Sequence, residues 1–262
     1  MTIDASKPIS LLPENPRYFL FRGEPTVLIT SGEHYGAILN GRFDYRKYLS
    51  ALAKQGLNHT RVFSGIYREV PGAFGITSNN LAPHYSDFAA PWARSRVAGA
   101  ADGGRKFDLN QWNEYYFDRL KAFFSLASQL GIVVEFTLFC PFYARWNDNL
   151  MWDVCPMNSR NNVTGIGDVP PHEFYTMEHP DILRHQEALV TKLVRELNDF
   201  DNLFIEIANE PWNDCMALDW QYHIAELITR EESALPNRHL ISRNVCNGYQ
   251  RIQDAHADIS VY

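Results

Sequence analysis

The stretch Leu203-Phe-Ile-Glu-Ile-Ala-Asn-Glu-Pro-Trp212 decides how the rest of the chain is read. Its first six residues are almost continuously apolar, the pattern of a short strand covered on both faces. Asn209, Glu210 and Pro211 follow at once. Proline donates nothing to a sheet ladder, so the strand is expected to stop there. Proline also disfavours the helical region for its predecessor, so Glu210 is expected to be extended. A carboxylate is thereby placed at the carboxyl end of a buried strand, where parallel α/β folds do their chemistry.

Outward from this strand, the chain alternates strands and helices. Tyr18-Phe-Leu-Phe21 and Thr26-Val-Leu-Ile-Thr30 flank Arg22-Gly-Glu-Pro25 and read as a hairpin at about 18–30, its second arm opening the main sheet. Asp44 starts a helix with Tyr45, Tyr48, Leu49 and Leu52 on one face, closed by Gly56. Leu57–Ser64 is a second strand carrying Arg61. Residues 65–108 lack a period but embed aromatics such as Tyr67 and Trp92, which predicts an ordered loop over a binding surface. Asn110 is expected to cap a long helix ending at Gly131, followed by a strand at Ile132–Leu138 and a second long loop to about residue 178. Helices from about Pro180 and over roughly 216–235 bracket the opening strand. A fifth strand at His239–Val245, a short helix ending near His256 and a sixth strand at Asp258–Tyr262 complete the reading.

This alternation predicts a parallel sheet with right-handed crossovers. No G-x-G-x-x-G or Walker loop follows any strand, which disfavours a nucleotide-binding open sheet. The long loops leave the carboxyl ends of strands, as in an eight-stranded (β/α)8 TIM barrel. Only about six βα units fit into the 262 residues, so the whole of 1–262 is read as one partial barrel domain whose last two units lie beyond residue 262.

Composition narrows the function. Hydrophobic residues make up 45% and charged residues 21%, the balance of a soluble globular protein, and the formal charge of −7 argues against nucleic acid or an anionic membrane as partner. No window approaches a membrane span and no apolar leader occupies Met1–Pro8, from which a cytoplasmic location is expected. Cys140, Cys155, Cys215 and Cys246 are widely spaced without a CxxC, so reduced thiols are expected. Asp148, Asp153 and His172 lack ligand spacing, and neither metal nor cofactor is expected.

The stretch Phe204-Ile-Glu-Ile-Ala-Asn-Glu-Pro211 resembles the fourth strand of the retaining glycoside hydrolases of clan A, nearest the cellulase-like family 5, and the order of the preceding elements resembles that clan over most of the chain. The resemblance implies Glu210 as general acid/base, Asn209 on the sugar 2-hydroxyl and Arg61 in support of a nucleophile. That nucleophile ends the seventh strand in the family, so it is expected beyond residue 262. Thr137-Leu-Phe-Cys-Pro141 lacks a histidine found in many relatives. The implied activity is hydrolysis of a β-linked saccharide by double displacement, with two carboxyl groups roughly 5–5.5 Å apart. Glu33 and His34 are expected on the sugar-facing rim, with Tyr143, Trp152 and Trp212 as aromatic contacts. Glu206 shares the parity of Glu210 and is read as structural; an ion pair with it is the alternative to a catalytic role for Arg61. The competing reading is a non-catalytic carbohydrate-binding protein on the same scaffold.

Overall fold

The computed structural model describes residues 7–212, 215–245, 252 and 255–262. Cys246 and most of the short helix expected before His256 lie outside these residues, as do Met1–Ser6 of the N-terminal stretch. The chain opens with a small antiparallel sheet of β1 (Ser10–Leu11), β2 (Phe19–Phe21) and β3 (Glu24–Thr26). Arg22 and Gly23 both take positive φ, 51° and 88°, so the hairpin turns on two residues and Glu24-Pro25 belong to its second arm.

That arm does not open the main sheet as expected. It leaves the ladder at Thr26, and residues 27–30 are held by Asn58 instead, whose backbone N–H donates to Ile29 O at 3.1 Å. Asn58 Nδ2 donates to Val27 O at 2.9 Å, and Asn58 Oδ1 accepts from the Ile29 N–H at 2.8 Å. The amide does what a strand neighbour would do, and Val27 and Ile29 stay exposed.

The main sheet contains four parallel strands: β4 (His59–Phe63), β7 (Val133–Phe139), β8 (Leu203–Ala208) and β9 (Ile241–Ser242), hydrogen-bonded in that order. A single parallel bridge from Ser242 to Val261 stands where a sixth strand was expected. The described residues thus show an α/β fold with a parallel sheet, in which four strands and one bridge stand for the six strands read from the sequence. Every residue of β8 is buried, as its apolar run requires.

The helices follow their apolar stripes. In α1 (Tyr45–Lys54) the Asp44 side chain accepts from the Lys47 N–H at 3.0 Å, and Tyr45, Tyr48, Leu49 and Leu52 are buried. The helix α2 (Glu114–Gln129) buries Tyr116, Phe117, Leu120, Phe123 and Phe124. Further on, α5 (Pro180–Leu197) and α6 (Leu218–Glu232) cover the sheet beside β8, and Trp220 Nε1 of α6 donates to Gln186 Oε1 of α5 at 2.9 Å.

Residues 65–108 are not one long loop. They contain β5 (Trp92–Ala98), which pairs antiparallel with β6 (Arg105–Trp112). Asn110 lies within β6 rather than capping the helix, which begins after Asn113. The ladder shifts register twice, so inward and outward positions do not alternate cleanly and the sequence carries no strand period here. Asp102 in the hairpin turn binds Arg94 at 2.5 Å and Arg68 at 2.9 Å, with Arg68 and Asp102 each 4% exposed. This pair of bridges locks the hairpin onto the loop after β4.

Candidate active site

Parallel register brings one polar set together on the face of the sheet shared by Arg61, Glu135, Thr137 and Glu206. Arg61 pairs with Glu135 across β4 and β7, and Thr137 pairs with Glu206 across β7 and β8. Arg61 Nε donates to Glu206 Oε2 at 3.0 Å, and Arg61 Nη2 donates to the same oxygen. Thr137 Oγ1 donates to it at 2.5 Å, and Asn244 Nδ2 donates to Glu206 Oε1 at 3.2 Å. Glu135 Oε1 stands 3.9 Å from Arg61 Nε. Burial first, and the Glu206 carboxylate next, push the Glu135 carboxyl up to about 7. Burial, with Arg61 nearby, pulls His59 down to about 4, so its imidazole is neutral at pH 7.

Above this layer the strands end in a cavity of about 320 Å³, lined among others by Arg61, Tyr67, Glu69, Tyr143, Asn209 and Glu210. The ladder continues one step past β8, the Asn209 N–H donating to Phe139 O at 2.9 Å. The chain then turns sharply. Glu210 is not extended as expected from Pro211: its φ is 37°, a left-handed value uncommon outside glycine. Two contacts over-determine this turn, the Asn209 ladder bond behind it and a hydrogen bond on the Glu210 carboxylate ahead of it. Tyr143 Oη donates to Glu210 Oε2 at 2.9 Å, and Asn209 Nδ2 donates to the same Tyr143 oxygen at 2.8 Å. Tyr143 itself has a φ of 49°. Two residues of sparsely populated backbone conformation thus meet in one hydrogen bond, an arrangement that clusters at functional sites. Burial, then the neighbouring Cys140 and Glu210, hold the Tyr143 phenol far above its ordinary value, so it is a donor at neutral pH.

Of the residues read from the sequence, the cavity therefore collects Glu210, Asn209, Arg61 and Tyr143. Others are placed elsewhere. His34 is half-buried and packs against Phe43 and Tyr48, with ring centroids 4.8 Å from each. Asn80 Oδ1 accepts from the Gly36 N–H, which turns its Nδ2 toward His34 Nδ1 at 2.5 Å. Burial lowers the His34 pKa, so the ring is a neutral spacer in the loop after residue 30. Glu33 accepts from Tyr35 Oη at 3.0 Å, and it is Tyr35 that reaches the cavity wall. Trp152 is 4% exposed and packs 4.9 Å from both Phe142 and Phe174, so it belongs to the core beneath the site.

Trp212 helps line a second cavity of about 470 Å³ that shares Tyr143 with the first. There it stands 5.3 Å from Trp146, which is 54% exposed. Tyr35, Glu69 and Asn244 also line the first cavity, without a motif in the sequence to mark them. Only the position of Tyr67 within an aromatic-bearing loop hinted that residues after β4 would reach it. Among the described residues no group of three or more His, Cys, Asp or Glu side chains is arranged to hold a metal ion. Cys140 and Cys155 are buried free thiols. No helix of the described residues is long and apolar enough to cross a membrane.

Solved structures share this architecture. A glycoside hydrolase family 5 mannosidase from Rhizomucor miehei, a mutant in complex with mannosyl-fructose, matches with a TM-score of 0.56 at 15% identity over 92% of this chain and 56% of its own. An exo-β-1,4-mannosidase from Opitutaceae bacterium strain TAV5 matches with a TM-score of 0.51 at 16% identity, over 93% of this chain and 34% of its own. At such identity the likeness is one of fold. The chain spans about half or less of the length of these proteins. Among curated proteins nothing matches the sequence. Residues 76–210, which run from the loop after β4 through Glu210 and make up just over half of the chain, match the family described as Domain of unknown function (DUF6298), and the chain belongs to that family.

Proposed function

We propose that this chain carries the acid/base side of a glycoside-hydrolysing site that acts on a β-linked saccharide. The observation that carries the proposal is the Glu210 carboxylate, facing a cavity at the end of the central buried strand and bound through Oε2 to Tyr143, which is bound in turn to Asn209. With Oε2 engaged, Oε1 is the oxygen left to hold a proton and deliver it to a leaving group. Asn209 Nδ2 is anchored on Tyr143, which keeps its amide at the cavity wall where a sugar 2-hydroxyl would sit. The fold shared with family 5 enzymes supports this reading.

In this proposal cleavage is by double displacement. Arg61 is spent largely on Glu206, so its part is to hold the polar layer below the cavity. Mannosides are the first substrates to assay, because both solved proteins named above are mannosidases.

The test is Glu210→Gln in the protein, assayed on β-mannan, β-glucan and aryl β-glycosides. Losing general acid catalysis is expected to cost about 10²–10⁴-fold on a saccharide leaving group. The loss should be much smaller for glycosylation from aryl glycosides, whose phenolates leave without a proton. An unchanged rate on a cleaved polysaccharide overturns the assignment.

A further inference from the structure

Glu69 has no part in the reading above, yet it lines the same cavity as Glu210 and Asn209. It stands in the loop after β4, two residues past Tyr67, on backbone that is fixed from both sides. The Glu69 N–H donates to Leu81 O at 2.8 Å. Its neighbour Arg68 is locked by Asp102 of the β5–β6 turn at 2.9 Å. Glu69 is 7% exposed and its two side-chain partners are neutral. Tyr67 Oη donates to Oε1 at 3.1 Å, and Asn79 Nδ2 donates to Oε2. Asn79 is oriented for this by its own Oδ1, which accepts from the Leu81 N–H at 2.9 Å.

A carboxylate taken out of water is costly unless its acceptor sites are filled. An ionised carboxylate has about four such sites, two on each oxygen. Tyr67 fills one on Oε1 and Asn79 fills one on Oε2, so each oxygen keeps a free acceptor site. The cavity's other polar groups include donors, Arg61 and Asn209, already committed to Glu206 and Tyr143. A ligand completing Glu69 therefore brings its own donors, at a spacing that matches the two oxygens of one carboxylate. Two adjacent hydroxyl groups of a pyranose ring have that spacing.

We propose that Glu69 is a specificity-determining residue for the sugar bound beside Glu210, accepting hydrogen bonds from a vicinal pair of its hydroxyls. The proposal rests on the glycosidase reading. Tyr67 and Asn79 hold the carboxylate in place before the sugar arrives, so no side-chain ordering is needed on binding. Because the hydroxyls meet a charged acceptor, their loss is felt more than that of a neutral hydrogen bond.

Affinities of the intact chain are measured by calorimetry for the methyl β-glycosides of mannose, glucose and galactose, then for each monodeoxy form of the best binder. Glu69→Gln keeps the side-chain shape and replaces one acceptor with a donor. It is expected to weaken the parent glycoside about 10–100-fold, the worth of a hydrogen bond to a charged group. For a deoxy form lacking one hydroxyl of the pair, which keeps only the other on Glu69, the weakening should be clearly smaller than for the parent. Glu69→Asp, which keeps the charge but withdraws it, serves if the glutamine variant does not fold, and is expected to show the same pattern. Equal weakening of parent and deoxy forms makes Glu69 a loop clamp and overturns the proposal. So does a fall in kcat with affinity unchanged. If sugars bind and Glu210→Gln blocks cleavage while Glu69→Gln is silent, this proposal alone fails. If no saccharide binds the intact chain, the glycosidase reading fails with it.

Discussion

Arg61→Met removes the cation from a sheet face that holds two carboxylates. Arg61 is 13% exposed in its side chain and Glu206 2%. Losing one partner of a buried ion pair costs about 3–5 kcal/mol, because the other charge is left without compensation. Here Thr137 and Asn244 still donate to Glu206, so the lower end, about 3 kcal/mol, is expected at pH 8. Glu135 makes the cost depend on pH. Its carboxyl stands at about 7 against an ordinary 4.5, with burial and Glu206 raising it and Arg61 lowering it. Without Arg61 it rises further. A carboxyl whose folded pKa exceeds its unfolded value binds protons preferentially in the folded state, so stability falls as pH rises through that window. The penalty of Arg61→Met is therefore larger at pH 8 than at pH 5. Pairing it with Glu206→Gln removes the stranded charge and is expected to recover most of the loss. Urea denaturation of the two single variants and the double variant, at pH 5 and pH 8, measures all of this. A single-variant cost under about 1 kcal/mol at pH 8 would refute the buried-pair reasoning. So would a larger penalty at pH 5, or a double variant as unstable as the sum of the singles.

Three further outcomes are expected. Tyr143→Phe keeps the ring but removes the donor to Glu210 and the acceptor for Asn209; kcat is expected to fall about 10–100-fold with KM little changed, read from steady-state kinetics. Trp152→Ala empties a core site and is expected to cost about 3–5 kcal/mol in denaturant unfolding, whereas Trp146→Ala, at an exposed position, is expected to stay within about 0.5 kcal/mol. Asp102→Asn weakens both bridges that hold the β5–β6 hairpin. Hydrogen bonds from Arg94 and the Gly104 N–H, with the charge of Arg68, hold the Asp102 carboxyl below its ordinary value despite burial. Its contribution is therefore present above the unfolded value of 3.8 and is lost as pH falls through the folded one; the difference between wild type and Asp102→Asn in thermal melts is expected to be clear at pH 7 and to shrink toward pH 3.

Much of the scaffold was legible because it is written in local chemistry. The apolar run of β8, the Asp44 cap and stripe of α1, and the amphipathic period of α5 depend on residues within a few positions of one another. The β5–β6 hairpin was not legible, since its register shifts erase the alternation that announces a strand. Nor was the fate of residues 27–30, where the β-branched composition of a strand is served by Asn58, a residue about thirty positions away. Trp152 and Trp212 look alike as loop tryptophans in the sequence. Only packing makes one a core residue and the other a cavity wall.

By itself the sequence determined that a carboxylate would stand at the carboxyl end of a buried strand, because an apolar run and a proline are sufficient to end a strand there. It also showed that a charge such as Arg61 in a buried strand needs a partner, with Glu206 of matching parity as one choice; the structure made the pair. Tertiary structure alone decided that Glu210 turns through a left-handed conformation onto Tyr143 and that Glu69 shares its cavity. Tyr143 and Glu210 are 67 positions apart and Glu69 and Glu210 are 141 apart, brought together by loops with no period of their own. Their geometry depends on parallel register and on ion pairs such as Arg68–Asp102, which no local pattern encodes.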